Sequence, residues 1–506
     1  MKLAPLFSDH MILQRGKPVP IWGEAEPGTE LTISVQGASY SARADESGRW
    51  CAAVGPLEAQ ESGTLCVDAG EEQILLHDVA VGDVYLAGGQ SNMEFLMRYE
   101  KHFAAEREAC ADPALRFYDV PEIAYDGQDR DFDYSKVGLW RSADRENLDF
   151  FSAPGYYFAK KLRRELGVPV GIIGLNWGGT RTSAWMSEEH ARQICPEQVA
   201  DFEDKLKGRT YEELAAESGK SPLNDRGYSA WDPFGEFILP GTPGPEEIGA
   251  FFAKMSSVVD LSNVAEFADP KMAPGILYEY MVKKTAPFGV KGVLWYQGES
   301  DDEVDGAAEH YAQSLKTMIS DWRELWGEKL PFFLVQLPGF RSWLAVVNRD
   351  YPLIRRAQQE VADSDESVLL CSISDLGEEF DIHPKNKKDV GERLALLALQ
   401  HLYGKDLTAD PPRPVSWERK GDRVTVRFAD TGEGLLVRGD TIHALSVKAD
   451  GETLTYHGNV SRDCLELSVE GAGDRALTIS FAGGDWYLVN LFNSAGIPAI
   501  PFTINC

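Results

Sequence analysis

Basic residues are scarce in this chain: 50 Lys and Arg face 80 Asp and Glu among 506 residues, a formal charge of -30. Such a surface repels phosphate backbones and anionic headgroups, so neither nucleic acid nor a membrane surface is expected as a partner. Cysteines are few and scattered, seven in all, and none falls in a CxxC or Cys/His pattern. A disulfide framework and a structural zinc site are therefore not expected, and free thiols in a reducing compartment are. Long apolar runs are missing as well. The opening "MKLAPLFSDHMILQRGKPVP" reaches prolines, charges and a histidine before any stretch suited to a signal peptide, and no later segment could span a bilayer. A soluble cytoplasmic protein is the expectation. The sequence also lacks G-x-S-x-G, because Met93 stands where the last glycine would be, and it lacks a P-loop. The acidic run "DDEVDG" from Asp301 begins like a calcium loop, but its twelfth position is Ala312 rather than a bidentate Glu, so no metal site is expected. There are no internal repeats and no low-complexity tracts.

What is present is a globular composition, 43% hydrophobic and 10% aromatic, in a chain long enough for two or three domains. Residues 1–80 alternate in short runs such as "LTISVQ", "SYSARA" and "WCAAVG" between turn signals, which predicts an N-terminal β-rich domain. From 81 to 405 the pattern changes. Apolar runs at "VYLAGG", "PVGIIGLNWGG", "VKGVLWYQGE", "PFFLVQLPG" and "VLLCSISDLG" interleave with segments of helical period, the pattern of a parallel sheet flanked by helices. Tyr311, Leu315, Met318, Ile319 and Trp322 mark one helix; Phe158, Leu162 and Leu166, stopped by Gly167, mark another; Val390 to Tyr403 is a third. Between about 187 and 271 the alternation lapses into charged helical pieces and "ILPGTPGPEE", an expected insertion. Residues 406–506 return to β alternation, predicting a C-terminal β-rich, sandwich-like domain.

In open α/β sheets ligands bind beyond the carboxyl ends of the strands. Polar clusters follow four of the expected strands: Gly88 to Glu94, Asn176 to Arg181, Gln297 to Asp301 and Asp381 to His383. Ser91 precedes an expected helix starting at Asn92 or Met93, so it reads either as a helix cap or as a nucleophile facing free N–H groups. Of nine histidines, His383 alone follows a sheet strand. It reads either as a base or as half of a structural ion pair with a nearby carboxylate. Asp381, two residues earlier in extended chain, would point to the same side and could accept the imidazole Nδ1–H. The backbone N–H groups of Ser91 or Asn92, the backbone at Gly178 and Gly179, and the Gln297 amide are candidate oxyanion donors, though the glycines also fit plain turns. Glu299 lies close enough to Gln297 to brace it or to bind substrate hydroxyls.

Taken together, "VGDVYLAGGQSNMEF", "GLNWGGTRTSAWM", "GVLWYQGESD" and "DIHPKNKKDVGERLAL" resemble the sialate O-acetylesterase family of the SGNH hydrolases, from about Val81 to Tyr403. The opening "SDHMILQRGKPVPIWGEAEPG" resembles that family's N-terminal part. The resemblance implies an SGNH-like α/β fold with β-rich domains at both ends. It also implies removal of acetyl groups from sugar hydroxyls through an acyl-enzyme, with no metal or organic cofactor. Carried over by position, Ser91 is the nucleophile, His383 the base, and Gly178 or Gly179 with Gln297 the oxyanion hole. Two positions depart from the wider pattern: Phe380 stands three residues before the histidine where an acid is usual, leaving Asp381 or a backbone carbonyl to orient it, and Gln297 stands where Asn is usual. The acetylated sugar itself stays open between sialic acid and fragments of xylan or mannan. A non-catalytic sugar-binding protein gripping through Trp177, Trp185, Trp295 and Tyr296 is the alternative of another class. Oligomeric state is not legible.

Overall fold

Eight strands build the central sheet: β1 (Ile12–Gln14), β2 (Ala80–Gly89), β3 (Asp112–Asp119), β4 (Trp140–Ala143), β5 (Val170–Asn176), β6 (Gly292–Tyr296), β7 (Phe332–Gln336) and β8 (Val368–Ser372). They belong to a computed structural model that describes residues 1–131, 137–218, 268–343 and 346–506, with isolated positions 246, 249–250 and 253. The part of the expected insertion from 219 to 267 lies, those positions aside, outside the described residues. The sheet runs β4-β3-β5-β2-β6-β7-β8, with β1 paired to the start of β2. Only β4 is antiparallel to its neighbour. β2, β5, β6, β7 and β8 are buried along their whole length, as near-continuous apolar strands are when helices cover both faces of a sheet.

Five helical segments flank this sheet or carry residues of its crevice: α1 (Ser91–Glu94), α2 (Ala153–Leu166), α3 (Ala307–Trp326), α4 (Tyr351–Ser364) and α5 (Lys387–His401). α2 packs on α5 and α3 on α4. α2 starts where the Ser152 hydroxyl accepts the Gly155 N–H at 3.2 Å and ends on left-handed Gly167. In α3 the stripe Tyr311, Leu315, Met318, Ile319 and Trp322 is buried, as its spacing predicts.

Antiparallel sheets stand at both ends of the chain, among them a four-stranded one from residues 30 to 77 and two four-stranded ones between 413 and 505. The fold is thus a mixed α/β one, a central parallel sheet with flanking helices and additional antiparallel sheets. The N-terminal sheets share one continuous apolar core with the central sheet, whereas the C-terminal sheets close around a core of their own.

Three strands of the central sheet do not stand out in the sequence: β1, β3 and β4. In β3 the reason is Arg116, a charge that interrupts the apolar run between Asp112 and Asp119. It is buried because its guanidinium donates to the carbonyls of His10, Asp78 and Pro113 at 2.6–2.8 Å and pairs with the Asp78 carboxylate at 3.1 Å. A buried cation is tolerated when its donors are met this completely. It also ties the N-terminal segments to the sheet.

Candidate active site

The carboxyl ends of β5, β2 and β6 are level: Gly89 is paired with Asn176 on one side and with Tyr296 on the other. The chain builds β3 to β5 on one side of β2 and then β6 to β8 on the other, so β2 is the switch point where an open α/β sheet forms its crevice. Three of the four polar clusters leave the sheet at these adjacent ends. At Gly89 the backbone takes φ +134, and a Cβ there would sit 2.1 Å from the Tyr296 carbonyl oxygen, so only glycine admits the turn.

Just beyond that turn Ser91 opens α1, a single helical turn capped by Gln90 without a side-chain bond. Ser91 is the first helical residue and not the cap, which removes the capping explanation for its hydroxyl. Its Oγ lies 2.9 Å from His383 Nε2, across 292 positions of sequence. His383 is buried in the loop between β8 and α5, with the Phe95 and Trp343 rings at centroid distances of 6.5 and 5.0 Å. Burial, and then the charges of Lys387 and Lys385, hold the imidazole well below its ordinary value. A neutral ring can accept a hydrogen bond from the Ser91 hydroxyl.

Asp381 is near this pair but its carboxylate has other partners than the expected ring nitrogen. Oδ1 accepts the backbone N–H of His383 at 2.8 Å, and Oδ2 receives the Lys385 ammonium. Asp381 thus braces the histidine through its main chain. The extended geometry expected for residues 381 to 383 is replaced by a turn that closes on the backbone.

Gln297 also differs from expectation. Fully buried, its Nε2 donates to Thr180 O at 3.2 Å and to Asp301 Oδ2 at 2.5 Å, while Oε1 accepts from Thr182 and Tyr311 hydroxyls at 3.1 and 3.0 Å. Both amide hydrogens are engaged, so the side chain knits the β5 and β6 loops together instead of presenting a donor. Asp301 completes the knot by accepting from Gln198 and from the Thr182 N–H. Asp302, the second residue of the acidic "DDEVDG" run, accepts the N–H groups of Arg349 and Asp350 ahead of α4. Among the described residues no group of three or more His, Cys, Asp or Glu side chains is arranged to hold a metal.

On the β5 side, Gly178 lies against Ser91: a Cβ there would come within 3.2 Å of Ser91 Cβ. Its N–H donates to Glu94 Oε2 at 2.6 Å. Gly179 follows with φ +71 and open space, its nearest neighbour being Lys271 Nζ at 3.9 Å from a hypothetical Cβ. Asn92, the next residue after the serine, meets Glu299. Asn92 Nδ2 donates to Glu299 Oε1 at 2.6 Å and to the Ile382 carbonyl at 2.9 Å, and its Oδ1 accepts from Lys387 Nζ at 2.5 Å. Burial pushes the Glu299 carboxyl up to about 7 and the Lys387 ammonium down to about 7.

The four aromatics expected to grip a sugar are all buried: Trp185, Trp295 and Tyr296 fully, with Trp295 edge-on to both Trp185 and Trp322 in the core, and Trp177 largely, with Lys271 Nζ 5.7 Å from its ring centroid. Two residues of the site carry no plain signal in the sequence. Glu94 stands three positions after Ser91 on the same helical face, a spacing that could have flagged it. Lys387 sits in the run "KNKK", which reads as a solvated basic patch and hides one fully buried member.

The family described as carbohydrate esterase, sialic acid-specific acetylesterase, matches residues 262–400, which hold Gln297 and His383 but not Ser91. The chain is 25% identical over 452 residues to the sialate O-acetylesterase of Mus musculus, covering 82% of this chain and 76% of that protein. It is 26% identical over 458 residues to the human sialate O-acetylesterase, covering 82% and 73%. The crystal structure of a carbohydrate acetylesterase from Xanthomonas citri superposes over 99% of both chains with a TM-score of 0.75 at 28% identity. Over most of its length the chain is thus similar to sialate O-acetylesterases and to a carbohydrate acetylesterase, and these similarities support a carboxylic-ester hydrolase acting on carbohydrate acetyl esters.

Proposed function

We propose that the protein removes O-acetyl groups from a carbohydrate through an acetyl-enzyme formed on Ser91. The observation that carries this reading is the 2.9 Å contact between Ser91 Oγ and His383 Nε2. His383 takes the hydroxyl proton as Oγ attacks the acetyl carbonyl, then gives it to the sugar oxygen as the ester C–O bond breaks. Water repeats the sequence on the acetyl-enzyme: His383 takes its proton, acetate leaves, and the proton returns to Ser91. With the Gly178 N–H held by Glu94 and the Gln297 amide fully engaged, the backbone N–H groups of Ser91 and Gly179 are the donors we assign to the oxyanion.

The names of the mammalian relatives favour acetylated sialic acid as substrate. A second reading, neutral acetylated xylo- or manno-oligosaccharides, is favoured by the formal charge of -30, which repels a sialate carboxylate. The seven thiols are all unpaired, which supports a reducing, cytoplasmic setting. Acetate release from acetylated sialic acid and from acetylated xylo-oligosaccharides tests both points. Ser91→Ala and His383→Ala are each expected to lower kcat by at least about 1,000-fold without changing the circular dichroism. Turnover retained in Ser91→Ala defeats the mechanism, and the preferred sugar decides between the substrates.

A further inference from the structure

Lys387 is an expensive residue where it stands. It opens α5, so its charge faces the positive end of the helix, and it is fully buried. Its ammonium lies over the Phe95 and Tyr296 rings at 4.8 and 5.4 Å and donates to Asn92 Oδ1. An apolar side chain of the same length would fill that space with no desolvation penalty. What the lysine does instead is fix the Asn92 amide. With Oδ1 taken by the ammonium, Nδ2 is left to bridge Glu299 Oε1 and the Ile382 carbonyl. That bridge joins the residue after the nucleophile to the residue before the histidine.

We propose that Lys387 is a positioning residue for hydrolysis: acting through Asn92 and the Ile382 carbonyl, it holds the His383 imidazole against the Ser91 hydroxyl. The inference rests on the assignment of Ser91 and His383 as nucleophile and base. It has an electrostatic consequence as well. Among the charged groups around this pair are Lys385, Asp381 and Glu378 from the histidine loop, Lys387 from α5, and Glu299 and Asp301 from the β6 loop; Ser91, Phe95 and Trp343 also contact the histidine. Lys385 is held by Asp381. Below pH 7 Glu299 takes up a proton while Lys387 keeps its own. Across the histidine titration, then, Lys387 is a cation that disfavours imidazolium and keeps His383 a base.

The test is Lys387→Met in the full chain, with pH profiles of kcat and kcat/KM on an aryl acetate beside wild type and Ser91→Ala. The expected result is a fall in kcat of about 10- to 100-fold with KM nearly unchanged. The acid limb of kcat/KM is expected to move upward by about one unit. A limb that stays in place, or an unchanged kcat, overturns the proposal, because a merely structural lysine would not set the histidine titration. Should Lys387→Met not fold, Asn92→Asp decides. It keeps the volume and gives the ammonium a better acceptor, but it cannot donate to the Ile382 carbonyl, so kcat is expected to fall about as far; a retained kcat overturns the tie. Activity surviving in Ser91→Ala would instead sink the underlying mechanism, so the two failures are distinguishable.

Discussion

Adjacent glycines beside Ser91, the proposed nucleophile, are expected to respond to the same mutation in opposite ways. In Gly178→Ala the new methyl comes within 3.1 Å of Glu94 Oε2 and 3.2 Å of Ser91 Cβ, closer than ordinary carbon contacts, so the neighbours must give by a few tenths of an ångström. The backbone there is outside the left-handed region and bears no added strain. On the proposed mechanism the displacement falls on Ser91, whose Oγ must stay within hydrogen-bond reach of His383; a misplacement of about 1 Å costs about 100-fold, so a shift of a few tenths of an ångström is expected to cost about tenfold in rate, or about 1.4 kcal/mol of barrier. Gly179→Ala meets the reverse situation. Its methyl finds nothing nearer than 3.9 Å, but φ is +71, a conformation that costs an L-residue about 1 kcal/mol. Aryl acetate turnover and calorimetric unfolding, measured on both variants, separate the two costs. Gly178→Ala should lose kcat at nearly unchanged midpoint, and Gly179→Ala should lose about 1–2 °C of midpoint with kcat within about threefold of wild type. An unchanged kcat in Gly178→Ala would mean that the β5 loop does not abut the working serine.

Two other outcomes are set by the histidine loop. Asp381→Asn preserves an oxygen to accept the His383 N–H and removes only the pairing with Lys385, so kcat should fall less than about tenfold; a loss near the ~10,000-fold typical when a triad aspartate is amidated would show the carboxylate acting on the ring. The imidazole is held below its ordinary value near 6.5, so its basic form persists into weakly acidic solution and the acid limb of kcat/KM should lie below that value; a limb above pH 7 contradicts the geometry.

The strands most legible in the sequence are the ones whose burial is complete. β2, β5, β6, β7 and β8 lie inside the sheet and announce themselves as apolar runs, and the α3 stripe does so by its spacing. β3 hides behind Arg116, and β1 is a three-residue strand too short to carry a period. At the site, the pairing of Ser91 with His383 follows from strand ends that converge, which topology rules supply. The partners of Asp381 and Gln297 do not follow. Each can hydrogen-bond in several directions, and the choice was made by neighbours that no spacing singles out: Lys385 and a backbone turn for one, Asp301 and Thr180 for the other. Lys387 is the extreme case, since nothing in "KNKK" says which lysine turns inward.

That inward lysine changes what the histidine is suited to do. A carboxylate on the ring stabilises imidazolium and strengthens the base; two cations beside it, in a buried site, do the opposite. In the proposed mechanism the base is weaker at drawing the proton from Ser91, but its basic form persists to lower pH than that of an ordinary histidine. The imidazolium formed in the first step is correspondingly a stronger acid, and acid strength is what the second step requires, because a sugar alkoxide is a poor leaving group until it is protonated. An aryl acetate, whose leaving group departs without that proton, therefore understates what Lys387 and Lys385 contribute to hydrolysis of a sugar ester.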